Sequence, residues 1–301
     1  NKYAMPQTPI RFDLRLRGPF GKTRLQMVAG SDAARNSYAI LDEEVRCKDH
    51  QIIQSFLEHE RKHFRQRWQQ GFSMLGGNVH LMEYANQVES WQFLALTPDR
   101  MGYPLPQKRT GGHVRLARDG ANIAEFLLEL RELDRNAMEG IIEAMSFVLP
   151  YARDIQPSVT SELERKAWLQ LTEADFKVPG WMLSTGTLRL LALLALLRHP
   201  NPPPLIVVEE IENGLDPRSI HLIVEEIRNA VLDGVTQVIV TTHSPYLLDL
   251  LTLEHLVLVE RDSKGHPRFL RPADNENLQR WAADFAPGKL YTMGSLGEMQ
   301  Q

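Results

Sequence analysis

The sequence has one cysteine, Cys47, among its 301 residues. A single cysteine cannot form an internal disulfide, and no Cys or His spacing typical of a metal site is present. Long apolar runs are also missing, because the longest, residues 188–197, contains Arg189 and is far shorter than the ~20 residues of a membrane span. No signal peptide is recognisable. These absences predict a cytoplasmic protein with no membrane partner.

Positive charge is not in excess, since 34 Lys and Arg stand against 38 Asp and Glu for a net charge of −4. The chain therefore has no global positive field that would attract nucleic acid or an anionic membrane. Two local basic clusters, residues 61–67 and 108–115, could contact a nucleic-acid backbone. A solvated helix face and a polar loop are the plainer interpretations of these clusters. DNA is a candidate partner only through such a patch.

A phosphate-binding loop is missing as well. Such a loop needs glycine, four residues and then Gly-Lys-Ser/Thr, between a strand and a helix. The nearest segment, residues 18–23, has two intervening residues instead of four, and residues 24–28 alternate like a strand. The backbone N–H groups cannot form a phosphate cradle in that frame. We predict a β-hairpin at this position.

Residues 1–120 combine strand patterns with helical ones. Residues 10–14 and 38–41 alternate between apolar and polar side chains, which predicts antiparallel strands with one solvated face. Residues 49–70 place apolar side chains at helical spacing and predict an amphipathic helix. A short strand is expected at residues 91–96. We assign residues 1–120 to an antiparallel β and helical region.

Residues 121–301 have the pattern of an α/β lobe. Two apolar runs rich in β-branched residues, 205–208 and 238–240, predict strands of a parallel sheet that are buried on both faces. A helix with one apolar face lies between them in sequence, which implies a βαβ unit with a right-handed crossover. Further helices are expected at residues 123–133, 138–148 and 187–198, and further strands at residues 165–176 and 256–259.

Two consecutive carboxylates, Glu209 and Glu210, follow the first of these parallel strands. Ligands bind beyond the carboxyl ends of strands in open α/β sheets. One acid at this edge can hold Mg²⁺ directly or through water, and the other can polarise an attacking water. A solvated strand end with charged residues is the structural alternative.

The apolar helix at residues 187–198 is preceded by Ser184, Thr185 and Gly186. Ser184 has the properties of an N-cap, and Gly186 would let the backbone approach a ligand closely. The free N–H groups and the positive dipole end of such a helix form an anion site. Taken alone, a well-capped core helix is the simpler explanation.

His243 stands where the second parallel strand ends. A histidine at this position can donate a hydrogen bond to a phosphate oxygen, although a lone histidine is more often structural. Ser244 and Pro245 predict the cap and the first residue of another helix.

The order of these segments resembles the second half of ABC-type ATPases, where a signature loop, a Walker B strand, a D-loop and a switch histidine follow one another. The corresponding residues here are 183–187, 205–210, 213–216 and His243. Residues 116–127 and 184–192 resemble more closely the "AAA family ATPases" related to SMC, RecF and OLD proteins. Two positions depart from that pattern: Ile211 replaces a common proline, and Glu209 is longer than the usual Walker B aspartate.

The resemblance implies an ABC-ATPase-like parallel sheet with flanking helices, in an enzyme that forms a homodimer or a higher oligomer on ATP. Glu209 would support Mg²⁺, Glu210 would activate water, and His243 would contact the γ-phosphate. Ser184, Thr185 and Gly186 would serve the nucleotide of the partner protomer, and Asp216 would cross the dimer interface. The implied cofactors are ATP and Mg²⁺. Hydrolysis would act on DNA, or through a separate effector protein, in genome maintenance or anti-phage defence.

The missing phosphate loop leaves alternatives open. In the resembling family this loop would lie before residue 1, so we expect a longer protein, with a degenerate ATPase as the second explanation. A non-hydrolysing ABC-like scaffold that binds DNA or a partner protein is the rival from another functional class. A transporter ATPase is a third option, which the long insertion between the strands disfavours.

Overall fold

The structure, a computed structural model, describes residues 10–18, 21–32, 37–47, 82–107, 113–161 and 163–296. The chain divides into two compact units, Asn1–Ser90 and Trp91–Gln301. The amphipathic helix predicted at residues 49–70 lies outside the described residues, as does its basic cluster. No helix in the described part of the chain is long and apolar enough to cross a membrane.

The first unit contains an antiparallel sheet and one described helix. Its elements are β1 Ile10–Gly18, β2 Gly21–Asp32, β3 Ser37–Cys47 and α1 Met82–Glu89. β2 is the central strand, and Leu25 of β2 lies opposite Val45 of β3. These two side chains form a small core with Ala85 of α1. The antiparallel strands predicted in this region are confirmed.

The segment nearest to a phosphate loop is the turn between β1 and β2. Gly18 ends β1, Gly21 begins β2, and the two residues are paired across the turn. The segment therefore connects two strands, whereas a phosphate loop connects a strand to a helix. The predicted hairpin is confirmed.

The second unit begins with a short strand and contains both helices and strands. Its elements are β4 Gln92–Leu94, β5 Leu105–Pro106, α2 Ile123–Leu133, α3 Arg135–Val148, β6 Ala152–Val159, β7 Lys166–Glu173, β8 Phe176–Pro179, α4 Thr185–Leu197, β9 Leu205–Val208, α5 Pro217–Val231, β10 Gln237–Val240, α6 Pro245–Asp249, β11 Leu258–Arg261, β12 Pro267–Leu270, α7 Glu276–Trp281 and α8 Pro287–Thr292.

Three strands of this unit form a parallel sheet in the order β10–β9–β4. β9, α5 and β10 follow one another in the chain, so the predicted βαβ unit and the α/β fold class are confirmed. Ile206 and Val208 lie in the main core, whereas Val207 is half-buried and Ile239 is exposed. The expectation of burial on both faces is wrong for the described part of the chain, because its apolar helices pack on the Ile206 and Val208 face.

A second sheet of this unit is antiparallel. β7 lies between β6 on one side and β5 and β8 on the other. Ala167, Leu169 and Leu171 of β7 are buried, because alternate side chains of a strand point to the same face. The strand predicted at residues 165–176 corresponds to β7, while its hairpin partners β6 and β8 were not predicted.

The helix α4 lies at the centre of the main core. Its residues from Thr187 to Leu197 are all buried, as expected for a helix that is hydrophobic all round. Side chains of α2, α3 and α5 surround it in the same core. α6 and the chain after it form a smaller core, which includes Leu248, Leu278 and Leu290.

Two elements differ in place from the prediction. The strand expected at residues 256–259 is β11, which begins two residues later and pairs with β12 in a separate antiparallel sheet. β4 was assigned to the first region, but it pairs with β9 and belongs to the second unit. A three-residue strand in a loop-rich segment carries no sequence signal for its partner, so its pairing depends on the tertiary structure.

One ion pair joins the end of α4 to α5. Both guanidinium bonds from Arg198 to Glu226 measure 2.7 Å, and the Glu226 side chain is 8% exposed. The hydrogen bond to this carboxylate raises the pKa of Arg198. Arg198→Met would leave the Glu226 charge buried without its partner, so we expect the free energy of unfolding to fall by about 3 kcal/mol. Urea unfolding of the 301-residue chain measures this loss.

The exposed pair Arg280–Glu276, with an N–O distance of 3.8 Å, provides the matched control. Arg280→Met should change the free energy of unfolding by less than about 0.5 kcal/mol, because exposed pairs are screened by solvent. Equal small losses in the two variants would contradict a stabilising role for the Arg198–Glu226 pair.

Candidate functional site

The carboxyl edge of the parallel sheet brings together the acids and the histidine predicted from the sequence. The amide of Glu209 donates to the carbonyl of Leu94 at 3.0 Å, and the amide of Thr241 donates to that of Val208 at 3.0 Å. These bonds extend the pairing of β9 with both neighbouring strands beyond their ends. Glu209, Glu210 and the segment leading to His243 therefore lie side by side, at the edge where ligands bind in such sheets.

Glu210 has an unusual backbone conformation, with a φ of +48°. A residue other than glycine in the left-handed region costs about 1–3 kcal/mol and persists when its surroundings enforce it. The amide of Glu210 donates to the Thr241 hydroxyl at 2.9 Å, and its carbonyl accepts the amide of Asn213 at 3.0 Å. The side chain of Asn213 donates to Oε2 of Glu210. The exposed carboxylate thus stands on a tightly held backbone.

Glu209 pairs with an arginine that was not predicted as a site residue. The guanidinium of Arg118 donates to Oε1 of Glu209 at 3.0 Å, and both side chains are more than half exposed. Asn122 holds the Arg118 loop, because its side chain accepts the Ala117 amide at 2.7 Å and donates to the Arg115 carbonyl at 2.8 Å. A cation bound at Glu209 must therefore compete with Arg118.

The N-terminus of α4 is built as predicted around Ser184. The Ser184 hydroxyl accepts the amide of Thr187 at 3.1 Å, and both Ser184 and Thr185 are exposed. Packing within the chain requires glycine at position 186, because a Cβ there would lie 2.4 Å from the carbonyl oxygen of Gly214. The first turn of α4 therefore packs directly against the loop that joins Glu210 to α5.

Asp216 is the N-cap of α5. Its carboxylate accepts the amides of Arg218 at 2.8 Å and Ser219 at 3.2 Å, and the Ser219 hydroxyl at 2.9 Å. Burial raises the pKa of Asp216, but the hydrogen bonds from Ser219 and Arg218 together lower the pKa below its ordinary value. Both carboxylate oxygens thus bind within the chain, while an interface role for Asp216 stays a prediction.

His243 follows β10 with its backbone held and its side chain exposed. Its amide donates to Oε1 of Glu212 at 2.7 Å. Ser244 caps α6 by accepting the Leu247 amide at 3.3 Å, and Pro245 is the first helical residue, as predicted. The imidazole is therefore placed at the solvent side of the edge that carries Glu210.

Arg189 is the second residue at this site that was not predicted to act there. It is 6% exposed, and it donates to the carbonyls of Leu96 and Glu210, at 2.9 Å each. Burial lowers the pKa of its guanidinium, and the carboxylates of Glu210 and Glu212 oppose that shift. The sequence signal was a single charge inside an otherwise apolar helix. No sequence pattern indicated the role of Arg118, because it lies 91 residues from Glu209 in the chain.

A metal ion at this edge would need ligands from elsewhere. In the part of the chain that the structure describes, no three His, Cys, Asp or Glu side chains lie close enough together to hold an ion by themselves. Mg²⁺ in nucleotide sites is bound by one or two carboxylates together with phosphates and water. The exposed carboxylate of Glu209 fits such a site, provided that phosphate oxygens complete the coordination.

A family model covers this arrangement. The family described as "AAA domain, putative AbiEii toxin, Type IV TA system" matches residues 43–249, which is more than half of the chain. The matched range contains Ser184, Glu209, Glu210 and His243. The chain belongs to this AAA family. The resemblance to AAA family ATPases inferred from the motifs is thereby confirmed. No curated protein matches this AAA domain.

Several solved structures are distantly similar to this AAA domain. An SMC ATPase studied for its ATP-driven dimerization and DNA-stimulated activation is 12% identical, with a TM-score of 0.41 over 58% of this chain and 99% of that one. The Smc head domain of Pyrococcus furiosus bound to the C-terminal domain of ScpA is 15% identical, with a TM-score of 0.37 over 55% and 44% of the two chains. The SMC head domain from Thermotoga maritima is 13% identical, with a TM-score of 0.39 over 88% and 75%.

Proposed function

We propose that this AAA domain is the C-terminal part of an ATP-hydrolysing switch whose two protomers close on ATP. The observation that carries the proposal is the position of Glu210. It follows a parallel strand with one buried face, its backbone is held by Thr241 and Arg189, and the strand that leads to His243 lies beside it. A carboxylate fixed at this edge can act as the general base that activates water.

Magnesium and ATP are the cofactors of the proposed reaction. Mg²⁺ would neutralise the charge that develops on the phosphates. Glu209 would support the ion, and Arg118 would have to release the carboxylate when the ion binds. His243 would donate a hydrogen bond to the γ-phosphate. The acid pair and the histidine would therefore serve the nucleotide of their own protomer.

The N-terminus of α4 would serve the nucleotide of the partner protomer. Thirteen helical residues follow Ser184, Thr185 in the first turn is exposed, and the amide of Thr187 donates to the Ser184 hydroxyl. A helix N-terminus of this kind favours phosphate. Ser184, Thr185 and Gly186 would contact the γ-phosphate across a homodimer interface. Gly186 packs against Gly214 in the loop before α5, so the N-terminus of α4 and this loop lie next to each other. Asp216, at the end of the loop, would extend the same interface surface.

The cellular role is a further part of the proposal. We propose that the phosphate loop lies before residue 1 in the full-length protein, because residues 18–23 form a hairpin instead. The switch would work in the cytoplasm, in DNA maintenance or anti-phage defence, through a separate effector protein. DNA itself is a candidate ligand. The absence of the phosphate-loop pattern from the 301 residues favours one alternative, a non-hydrolysing scaffold that binds DNA or a partner protein.

Nucleotide binding by two lengths of the protein tests the proposal. The full-length protein is expected to bind MgATP and hydrolyse it. Residues 1–301 alone should bind MgATP weakly, because most of the affinity for a triphosphate comes from the phosphate loop. Calorimetry measures the two affinities, and phosphate release measures hydrolysis. Tight MgATP binding by residues 1–301 would contradict the upstream phosphate loop, and full-length protein that binds ATP without hydrolysis would support the scaffold.

A further inference from the structure

The buried guanidinium of Arg189 connects three segments of the second unit. It belongs to the first turns of α4, and its two terminal nitrogens donate to carbonyls at the ends of two other segments. One acceptor is Leu96, two residues beyond β4, and the other is Glu210, two residues beyond β9. Both acceptors are backbone atoms. Arg189 therefore fixes main-chain positions, while its charge stays out of contact with solvent.

The bond to Glu210 acts on the strained residue of the site. Glu210 is one of three described residues other than glycine with positive φ, and the other two, Arg165 and Ala174, lie in turns next to β7. The neighbours of Glu210 hold both sides of its peptide: Thr241 accepts its amide, and Arg189 and Asn213 donate to its carbonyl. Of these groups, Arg189 alone carries a formal charge, and charge-assisted hydrogen bonds are the strong ones.

We propose that Arg189 is a positioning residue for Glu210. By holding the carbonyl of Glu210, it keeps the backbone in the left-handed conformation that directs the carboxylate to the carboxyl edge of the sheet. The catalytic part of this inference rests on the proposed ATPase function, whereas the positioning part does not. Arg189 also ties Glu210 to α4, whose N-terminus is the proposed seat for the partner's phosphate. The acid and that seat are thus fixed to the same helix.

Hydrogen exchange tests the positioning without any nucleotide. Arg189→Met keeps a long side chain but removes both donors. We expect exchange at the amides of Glu210 and Ile211, which bond to Thr241, to accelerate about tenfold more than at amides in the middle of α2. Arg198→Met is the matched control, because Arg198 ends the same helix but binds Glu226. Exchange in this variant should accelerate no more at the amides of Glu210 and Ile211 than at other amides.

Kinetics of the full-length protein test the catalytic consequence. Arg189→Met should lower kcat about 10- to 100-fold, since misplacing a catalytic group by about 1 Å can cost about 10²-fold. KM for ATP should change by less than about twofold, because the substitution removes no contact with bound ATP. In a Glu210→Gln background, the same substitution should cause no further loss, since the group it positions is already gone. Arg189→Lys, which keeps the charge but not the two-pronged geometry, should give an intermediate rate and serves if the methionine variant does not fold.

The outcomes separate this inference from the proposed function. Uniform acceleration of exchange in Arg189→Met would show a general structural role and would overturn the inference. An equal loss of rate with and without Glu210 would do the same. If wild-type protein hydrolyses no ATP, the proposed function fails, and selective exchange at Glu210 and Ile211 still supports the positioning.

Discussion

Glu210→Gln in the full-length protein is expected to slow ATP hydrolysis by about 10²- to 10⁴-fold while ATP binding is retained. An amide has nearly the shape of the carboxylate but cannot take a proton from water. The backbone bonds that hold Glu210 do not involve its side chain, so the variant should keep the left-handed backbone. Asn213 can still donate to the amide oxygen. The variant should therefore accumulate as a nucleotide-bound dimer.

Single-turnover hydrolysis and sedimentation with ATP measure these two effects. Glu225→Gln is the matched control, because Glu225 is a partly exposed acid of α5 that pairs with Arg228. It should hydrolyse ATP at the wild-type rate. Wild-type turnover in Glu210→Gln would exclude this residue as the general base and would leave Glu209 as the acid to test next.

Ser184→Arg is expected to abolish both ATP-dependent dimerisation and hydrolysis, with a stability loss of only about 1 kcal/mol. The substitution removes the hydroxyl that accepts the Thr187 amide, which accounts for the loss of stability. It also places a bulky cation at a helix N-terminus, where the dipole disfavours positive charge. The larger effect should come from the arginine side chain, which would occupy the proposed seat for the partner's phosphate.

A second helix cap separates these two effects. Asn275 caps α7 by accepting the amides of Asn277 at 3.0 Å and Leu278 at 3.3 Å. Asn275→Arg should cost a similar amount of stability in a thermal melt but should leave dimerisation intact. If Ser184→Arg dimerises and hydrolyses ATP like the wild type, residues 183–187 are only a helix cap. Ser184→Ala replaces it if the arginine variant does not fold.

Local patterns predicted much of the fold and the placement of most site residues. The caps Ser184 and Ser244 were recognisable because a cap bonds to an amide three residues ahead, whereas the cap role of Asp216 was not predicted. The parallel strands were recognisable from their β-branched runs. Their burial was overestimated, because an apolar run does not tell how many layers cover it. The catalytic roles of Glu210 and His243 stay predictions.

Contacts between distant segments could not be predicted in this way. The bond from Arg118 to Glu209 spans 91 residues, and that from Arg189 to Leu96 spans 93. The residues next to either arginine do not identify its acceptor, because carboxylates and backbone carbonyls occur throughout the chain. The left-handed conformation of Glu210 is equally hidden, since glutamate has no preference for positive φ.

The amino-acid sequence by itself determined the βαβ unit, the order of the motifs, the helix caps Ser184 and Ser244, and the absence of a phosphate loop from these residues. Each depends on interactions within a few residues, on chain periodicity or on residue identity. Only the tertiary structure decided which strand β4 joins, which groups hold Glu210, and why Gly186 must be small. The physical reason is that these features arise where separate segments pack together. Burial then makes each unsatisfied polar group costly and so selects one arrangement.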